Sequence, residues 1–517
     1  MKFLRFIFIV LCVYQLSISN GLKILGIFPY NGRSHHILYS SLVEELATRN
    51  HDVTVINYFP LRKMPNLRQI SIQDETGAHC NIDMMENLNT IPDSVFKDFY
   101  RAYDMAVAFK EMANDNCERL MGNEEIRNII NSGQTYDVVI AEQFVTDCGL
   151  AIAYKLGSPT VGMTAHTLMP WTYSRLGAPN NPAFVPNHLF GSGSKPDLYE
   201  KAKSAIINFA MNVYYRHVIQ KRDQEIINRV YPEVPDLETL GKNISLIMLN
   251  QYFPLSGSRL HGANVIEVGG MHVKGNQNID DKDLKNFIQK AENGVVYISF
   301  GTVASNFPKK VLKEIKAFIE ASKMSFVWKI NNNTVNFVNK NNVVVRKWLP
   351  QASILCHPNV LAFVSHSGML STTEAMHCGV PIIGVPLFGD QFSNAAFAME
   401  NGLGVVLDIY KLNRNNLREA LDTVLQDRYQ KRAKELSEIW RDRPLAPMDL
   451  AIFWVEYVAR HKGRVEMKPQ SVNTNFFQYY LLDLLSVLAL IILLFIKVTK
   501  FINNRNKILL HTLKLKI

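Results

Sequence analysis

The feature that most constrains the fold is a series of short segments with mainly apolar runs, each followed by a turn and an amphipathic stretch. The first segment covers residues 23–29, a helical pattern follows over 36–50, and a second apolar segment covers 52–57. Strands that are apolar at every position, instead of alternating, are buried on both faces, as in parallel sheets covered by helices. The sequence therefore predicts an α/β protein built on parallel sheets.

The pattern occupies two stretches of the chain that are separated by a break. Residues 251–283 contain a Pro/Gly/Ser-rich part and a polar part, after which a new apolar segment begins at 295. We therefore predict two Rossmann-like doubly wound domains facing a cleft: 22–250, then a linker region at 251–283, then 284–462 with returning helices. In such folds ligands bind beyond the carboxyl ends of the strands. The other predicted strands are 137–142, 159–163, 244–250, 295–301, 325–330, 343–349, 361–366, 381–386 and 405–408, and the long helical stretches are 96–131 and 198–230.

The first 21 residues have the organisation of a secretory signal peptide. Lys2 and Arg5 give a cationic start, which precedes an apolar run over 6–16 and small residues towards 21. The apolar run is too short to span a bilayer comfortably, which favours a cleaved signal over an anchor. We therefore predict that residues 1–21 direct the chain into the secretory pathway.

A second apolar segment, 476–496, lies near the other end of the chain. As a helix it would reach about 30 Å, the thickness of a hydrocarbon core, so a transmembrane helix is predicted. Residues 497–517 then form a basic tail with no Asp or Glu. The positive-inside bias places this tail in the cytosol and the two domains on the lumenal side.

Charge and cysteine content exclude several classes of function. The net charge is +10, but the basic tail carries more than half of it, so no nucleic-acid groove is predicted. Five cysteines remain after the signal peptide, so at least one thiol is unpaired, and no Cys/His spacing indicates a zinc site. Glycosylation sequons begin at Asn243 and Asn332, and both would be available in a lumenal chain.

The densest group of polar residues follows the predicted strand 361–366. From His366 to Glu374 the chain turns through small residues into a helix. Gly368 and the helix N-terminus can present N–H groups to an anion, and His366 and Ser371 can donate to phosphate oxygens. Glu374, one turn further, can accept from a ribose hydroxyl. Taken alone, these residues also fit an ordinary βα loop, because neither a Walker lysine nor a G-x-G-x-x-G motif is present.

Further short motifs surround this loop. They are Trp348-Leu-Pro-Gln351, His357-Pro358, Gly379-Val-Pro381 and Asp390-Gln-Phe-Ser-Asn394. The whole segment, 348–395, resembles the signature of the UDP-glycosyltransferase family, of the animal type that includes glucuronosyltransferases. The signal peptide, the paired halves and the terminal apolar segment extend the resemblance over nearly the whole chain. It implies the GT-B fold, in which two Rossmann-like domains face a cleft, followed here by a single C-terminal transmembrane helix.

The resemblance implies a UDP-sugar site with three parts. An aromatic face takes the uracil, small donors take the pyrophosphate, and a carboxylate–amide pair takes the sugar hydroxyls. The implied residues are Trp348 and Gln351 at the nucleoside, Glu374 at the ribose, Thr302, His366, Gly368 and Ser371 at the pyrophosphate, and Asp390 and Gln391 at the sugar. Two positions depart from the family pattern. Ser367 stands where animal members usually have glycine, and Leu370 where some have an asparagine that touches phosphate.

The first half should supply the base for the acceptor hydroxyl. The resemblance assigns this role to His35, because a neutral imidazole can take a proton near physiological pH. A carboxylate would orient the imidazole and stabilise its protonated form. Position favours Glu142, at the end of the predicted strand 137–142, and Asp147 is the alternative.

No metal or other cofactor is predicted, and the UDP-sugar is a co-substrate. The sequence Asp281-Lys-Asp283 looks like a metal-binding DxD motif. It lies in a polar segment before a predicted helix, where an aspartate more often caps the helix. We therefore predict metal-independent catalysis and a helix cap at Asp281.

The resemblance implies a membrane-anchored, inverting glycosyltransferase of the endoplasmic reticulum with a role in detoxification. It would move a hexosyl group to a hydroxyl of a small lipophilic acceptor, and the arthropod-like sequence favours UDP-glucose over UDP-glucuronate as donor. The alternative is a catalytically weak relative that binds or carries small lipophilic molecules, against which the retention of His35 argues. Acceptor identity depends on residues 59–187, which carry no legible motif. Nucleic acid is not a predicted partner, and the sequence leaves homo-oligomerisation open.

Overall fold

The computed structural model describes residues 21–74, 77, 80, 82–84, 96–190, 193, 195–274, 278–302, 304–330, 337 and 341–514. The predicted signal peptide, apart from Gly21, and the predicted sequon at Asn332 lie outside these residues. The chain forms two compact units, Met1–Lys468 and Pro469–Ile517. The first holds the two α/β halves, and the second holds the terminal apolar helix.

The strands of the first unit belong to both halves. They are β1 (Lys23–Phe28), β2 (Asp52–Asn57), β3 (Leu67–Ser71), β4 (Ile82–Asp83), β5 (Val138–Glu142), β6 (Thr160–Thr164), β7 (Leu246–Leu249), β8 (Val265–Glu267), β9 (Val295–Ser299), β10 (Ala304–Ser305), β11 (Ser325–Lys329), β12 (Val343–Arg346), β13 (Val360–Ser365), β14 (Ile382–Gly384) and β15 (Gly404–Val406).

The α-helices of the first unit cover the sheets. They are α1 (Arg33–Thr48), α2 (Lys97–Gly122), α3 (Glu124–Asn131), α4 (Cys148–Lys155), α5 (Tyr173–Leu176), α6 (Leu198–Tyr214), α7 (Gln220–Asn228), α8 (Leu237–Lys242), α9 (Phe253–Ser256), α10 (Lys282–Gln289), α11 (Lys309–Ala321), α12 (Gln351–Leu355), α13 (Met369–Cys378), α14 (Gln391–Glu400), α15 (Arg414–Val424), α16 (Asp427–Arg441) and α17 (Pro447–Arg460). A π-helical segment, Tyr215–Ile219, joins α6 to α7.

The first half is a seven-stranded sheet with the order β3-β2-β1-β5-β6-β7-β8, and every pair in it is parallel. All five residues of β5 are buried, as the continuous apolar pattern predicts. Strand order reverses between β1 and β5, so the loops after these two strands diverge and leave a crevice at their carboxyl ends. The residues that follow β1 and β5 are therefore brought together.

The second half repeats this arrangement with six parallel strands in the order β12-β11-β9-β13-β14-β15. Its reversal lies between β9 and β13, which places the loops after those strands side by side. The short strands β4 and β10 pair in parallel and connect the first half with the second. The prediction of two doubly wound sheets facing a cleft is confirmed.

Two segments depart from the predicted division of the chain. Strand β8 lies inside 251–283, the predicted linker, and completes the first sheet by pairing with β7. Only Val265 of its three residues is buried, and so short a segment has too little apolar pattern to be detected. Helix α17 falls within the range predicted for the second half, but Ile452 and Val455 pack in the first half's core with Ile24 and Val138.

Four of the cysteines form disulfides whose pairing the sequence did not indicate. Cys117 bonds to Cys148, and Cys356 bonds to Cys378. Cys80 remains a thiol, in agreement with the odd number predicted for the mature chain. Both disulfides join helices within one half, so each stabilises its own half.

The second unit contains a helix long and apolar enough to cross a membrane. After a short helix α18 (Phe476–Tyr479), helix α19 runs over Leu482–Lys514. Its candidate span is Leu482–Ile508, which contains an 18-residue window with a mean hydropathy of 2.5. The helix begins six residues later than predicted, because Leu481 adopts a φ of 55° that interrupts helical geometry. It also continues through most of the predicted tail 497–517.

Candidate active site

A cavity of about 890 Å³ lies between the two sheets, at the carboxyl ends of their strands. Residues of both halves line it. From the first half these include His35, and from the second half all the residues predicted to contact the donor: Thr302, Trp348, Gln351, His366, Gly368, Ser371, Glu374, Asp390 and Gln391. The structure therefore brings the predicted residues together around one space.

His35 lies in the first turn of α1, directly after β1, and is largely buried. Its Nδ1 lies 2.6 Å from Oε1 of Glu142, the last residue of the neighbouring strand β5. The other carboxylate oxygen of Glu142 accepts from the backbone N–H of Tyr30 at 3.2 Å. A carboxylate can only accept, so Nδ1–H of His35 donates and its Nε2 is left to take a proton.

Asp147, the alternative partner of His35, is engaged elsewhere. Its two oxygens accept from Arg175 at 2.9 and 2.6 Å. One of them also accepts from Tyr215 Oη and Gln220 Nε2, both at 2.8 Å. Because Asp147 is the residue before α4, its side chain enters this buried network behind the sheet and does not reach the cavity.

An aromatic and sulfur-rich wall surrounds His35. The rings of Tyr30 and Phe144 lie 4.6 and 4.9 Å from the imidazole, centroid to centroid. Further lining residues of this half are Met105, Phe109, Met112, Met169, Leu189 and Phe190. They come from α2 and from the loop after β6, within the region where no motif was legible. A wall of this composition suits a flat lipophilic molecule.

Two histidines in the same wall were missed by sequence reasoning. His166 follows β6 and His188 lies in the long loop that precedes α6, and both line the cavity. His166 could have been found from its place at the carboxyl end of a strand. His188 carries no comparable signal, because only the folded loop brings it near.

The loops after β9 and β13 meet at His366. A Cβ added to Gly301 or to Gly368 would lie 2.5 Å from Nε2 of His366, so both positions need glycine for this imidazole to fit between them. Burial, followed by the nearby Lys329 ammonium, lowers the pKa of His366 to about 4. His366 is therefore a neutral imidazole and not a cation near physiological pH.

Ser367, between His366 and Gly368, has a φ of 61° and is fully buried. Left-handed backbone is unfavourable for a residue with a Cβ, so glycine would adopt this conformation with less strain than serine does. Its hydroxyl has no hydrogen-bond partner in the described part of the chain. Gly384 leaves room for it, since a Cβ there would lie 2.7 Å from Ser367 Oγ. Leu370, the second departure from the family pattern, also lines the cavity.

Gln351, Ser371 and Glu374 form a connected group on the nucleoside side. The Gln351 amide donates to Ser371 Oγ at 2.9 Å and to Glu374 Oε2 at 2.5 Å. Burial raises the pKa of Glu374 to about 7, although Gln351 and Lys329 both oppose the rise. The second oxygen of Glu374 lies 3.7 Å from Nε2 of His272. Glu374 thus changes its protonation state near physiological pH.

Lys329, at the end of β11, was not predicted as a site residue. Its Nζ lies 4.5 Å from the ring centroid of Trp348 and donates to the Gly301 carbonyl at 3.3 Å. Burial lowers its pKa to about 8, against the opposing effect of Glu374. Trp348 itself is 56% exposed, so one face of the indole is open to a ligand. The position of Lys329 at a strand end is the signal that could have found it.

Asp390 and Gln391 lie at the start of α14, opposite His35. The Asp390 carboxylate accepts from Asn394 Nδ2 at 2.8 Å. Burial raises its pKa, while Asn394 and the positive charge of His35 oppose the rise. The Gln391 carbonyl oxygen accepts from the backbone N–H groups of Leu387 and Phe388 at 2.9 and 3.2 Å. Its role at a sugar is thus limited to donation by its NH₂ group.

The predicted helix cap at Asp281 is confirmed. Oδ1 of Asp281 accepts from the backbone N–H of Leu284 at 3.0 Å at the start of α10. The same carboxylate lies 3.5 Å from Arg346 Nε. Asp281 and Asp283 do not line the cavity.

Comparisons with known proteins agree with this architecture. Residues 23–514 match the profile of the family described as UDP-glucoronosyl and UDP-glucosyl transferase. UDP-glucosyltransferase 2 of Dactylopius coccus is 32% identical, over 96% of this chain and 96% of its own length. UDP-glucuronosyltransferase 1A7 of Mus musculus is 27% identical, over 93% of this chain and 92% of its own.

Solved structures of glycosyltransferases are similar in fold. The structure titled "Crystal structure of LpCGTa in complex with UDP" has a TM-score of 0.56 and 17% identity, covering 85% of this chain and 100% of that one. "Crystal Structure Analysis of the Glycotransferase of kitacinnamycin" has a TM-score of 0.56 and 16% identity, covering 84% and 99%. At this identity the similarity shows the fold alone, and it confirms the predicted GT-B arrangement.

Proposed function

Because the chain belongs to the UDP-glucoronosyl and UDP-glucosyl transferase family, we propose that it transfers a hexosyl group from a UDP-sugar to a small lipophilic acceptor. The observation that carries this proposal is the bond of His35 to Glu142 at 2.6 Å, across one cavity from Asp390 and the loop at His366. A general base and a donor-binding loop thus face the same space. Glucose is the favoured sugar, since a relative at 32% identity is called a glucosyltransferase.

The proposed reaction is a single displacement with inversion. Nε2 of His35 takes the proton of the acceptor hydroxyl as its oxygen bonds to the anomeric carbon, and the bond from that carbon to the phosphate oxygen breaks. Glu142 stabilises the imidazolium that forms. Asp390 and Gln391 hold the sugar hydroxyls so that the attacked face is turned towards His35.

The leaving UDP carries the negative charge that develops. The N-terminus of α13 behind Gly368, the neutral N–H of His366 and the Lys329 ammonium can all stabilise it. Thr302 and Ser371 can add hydroxyl donors, while Trp348, Gln351 and Glu374 hold the nucleoside. We therefore expect no need for a metal, and transfer should continue in the presence of EDTA.

The proposed location is the endoplasmic reticulum membrane, with lumenal domains and a cytosolic tail. Residues 1–21 would direct entry, and the apolar helix around Leu482–Ile508 would span the membrane once. Asn243 is exposed at the end of α8, as a glycosylated asparagine must be. The division into an acceptor half and a donor half, and a role in detoxification, belong to the same proposal.

One assay tests the activity. Microsomes containing the full-length chain are incubated with labelled UDP-glucose, UDP-glucuronate or UDP-N-acetylglucosamine and a panel of phenols and steroids, with and without EDTA. Labelled glucoside should form from UDP-glucose in both conditions, and His35→Ala microsomes serve as the matched control. Acceptor binding without any transfer would instead favour a carrier, and loss of transfer in EDTA would contradict the metal-free mechanism.

A further inference from the structure

Two buried imidazoles beside His35 have hydrogen-bonding capacity that the transfer reaction does not use. The ring of His166 lies 5.8 Å from that of His35, and the ring of His188 lies 5.2 Å from that of His166, centroid to centroid. His166 and His188 are 7% and 5% exposed, and both line the cavity. They form a short polar row within an otherwise apolar wall.

The tautomer of His166 is set by its surroundings. Its Nδ1 lies 2.6 Å from the carbonyl oxygen of Thr167, which can only accept, so Nδ1 carries the proton. Nε2 is then a lone-pair acceptor, and it has no partner among the residues that the structure describes. Nε2 of His188 also has no partner among the residues that the structure describes. A buried polar atom left unpaired costs about 1–3 kcal/mol, so such atoms are rare unless a ligand or water satisfies them.

Both imidazoles are held neutral. Burial, followed by the charge of His35, lowers the pKa of His166 to about 3. Burial, followed by His166 and Arg259, lowers the pKa of His188 well below its usual range. A neutral imidazole can pair with a neutral hydroxyl. An ammonium group or a carboxylate would lose its hydration here without gaining an opposite charge. These nitrogens are therefore matched to an uncharged donor group.

An aromatic ring is the natural carrier of that group. Phe144 contacts both the His35 ring, at 4.9 Å, and the His166 ring, at 5.1 Å. A flat acceptor lying against Phe144 with one hydroxyl at His35 brings its neighbouring ring positions towards His166. The ring centroids of His35 and His166 are 5.8 Å apart, a separation that one acceptor ring with two hydroxyls can bridge.

We infer that His166 and His188 form a subsite for a second hydroxyl of the acceptor, so that aromatic acceptors with two closely spaced hydroxyls are preferred. This inference rests on the proposed transferase function and names the acceptor class of the same site. The hydroxyl near His35 is the nucleophile, and the second one donates to Nε2 of His166. Both histidines are positioning residues that select the acceptor and set its orientation, and neither takes the reacting proton.

Three matched acceptors test the inference. They are meta-pentylphenol, pentylresorcinol with its second hydroxyl on the ring, and a phenol whose second hydroxyl is at the far end of the pentyl chain. Binding to the solubilised full-length protein is measured by calorimetry without donor, and kcat/KM is measured with the UDP-sugar that the microsomal assay identifies. The wild type should bind pentylresorcinol about tenfold more tightly than either comparison compound.

The variants separate the subsite from general packing. His166→Asn keeps a donor near the Nδ1 position but removes the Nε2 acceptor, and His188→Leu removes both ring nitrogens. In each, the preference for pentylresorcinol over meta-pentylphenol should fall towards unity in binding and in kcat/KM, and His188→Gln should restore part of it. UDP binding monitors folding, because among the described residues neither histidine makes a hydrogen bond or ring contact with a residue proposed to hold UDP.

Two outcomes would overturn the inference: a wild type without this preference, or variants that lose affinity for the three compounds in parallel. The second would mean that the imidazoles hold only water or pack the wall. Failure of the proposed function looks different. In that case no product forms with any acceptor, while the binding preference and its response to the variants are still measurable.

Discussion

The two halves of this protein share a doubly wound topology, yet their binding surfaces are built in different ways. The proposed donor surface comes mostly from residues 348–391, in the loops that follow strands and in the helices α12, α13 and α14 that these loops enter. The proposed acceptor surface combines the residues that follow β1 and β5 with α2 and the long loop after β6. The UDP group is the same in every turnover, so loops at a fixed spacing along one stretch of the chain can hold it. An acceptor that varies is held by side chains that are distant in sequence.

The halves also differ in what burial does to their ionisable groups. In the donor half burial brings Glu374 to a pKa of about 7 and Lys329 to about 8, so both titrate near physiological pH. In the acceptor half burial moves the pKa of His166 to about 3, which fixes it as neutral. The donor surface is therefore responsive to pH, and the acceptor wall near His35 is not.

The largest expected effect separates chemistry from donor binding. His35→Ala removes the base, so kcat should fall by about 10²-fold or more, while UDP affinity stays near that of the wild type. His36→Ala is the matched control, because His36 packs against Phe59 and does not line the cavity. Transfer rates and calorimetric UDP titration give the two readouts. If His35→Ala weakened UDP as much as Trp348→Ala, the assignment of separate tasks to the halves would be wrong.

The converse change acts on the donor half. Trp348→Ala should weaken UDP by about 1–3 kcal/mol, because the exposed indole face no longer stacks on the base. Glu374→Ala should cost about 1–3 kcal/mol, since it leaves Gln351 and the ribose without their shared acceptor. Trp348→Phe should keep most of the affinity. Calorimetry with UDP measures each, and unchanged affinity in Trp348→Ala would remove the uracil role from this residue.

A smaller effect concerns pH. UDP binding should be strongest between about pH 7 and 8, because Glu374 accepts best when ionised, above its pKa of about 7, and Lys329 attracts the diphosphate when protonated, below about 8. Glu374→Gln should flatten the acidic side and Lys329→Met the alkaline side. Any fall in UDP affinity at acidic pH that remains in Glu374→Gln comes from protonation of the nucleotide phosphate, which titrates near pH 6. A wild-type profile that matches both variants would contradict these assignments.

The smallest expected effect is on stability. Ser367→Gly should raise the thermal midpoint slightly, because relief of a left-handed backbone worth about 1–2 kcal/mol exceeds the entropic cost of glycine, about 0.5–1 kcal/mol. Gly368→Ala, one residue further, should do the opposite, since its Cβ would displace His366. Thermal unfolding of the solubilised protein measures both. If both variants shifted the thermal midpoint equally and in the same direction, the stability of this turn would not depend on the left-handed backbone at Ser367 or on the space that Gly368 leaves for His366.

Sequence reasoning succeeded where a residue's position relative to a strand determines its neighbours. The neighbouring parallel strands β1 and β5 bring His35 to Glu142, the partner that its place at a strand end favoured over Asp147. The pairing of β9 with β13 likewise brings Gly301 close to His366. It failed for His188, which reaches the cavity only through the folding of a long loop. It also failed for α17, because an apolar face does not say which sheet it will cover.

Helix α17 has a consequence for the order in which the protein is completed during synthesis. The segment from α10 to α16 supplies the second half's own core, including Trp440, before α17 has been translated. The first half, although made earlier, lacks one wall of its core until residues 447–460 arrive. The half that is synthesised first is therefore the half that is finished last, and its apolar sheet face must stay protected throughout the synthesis of the other.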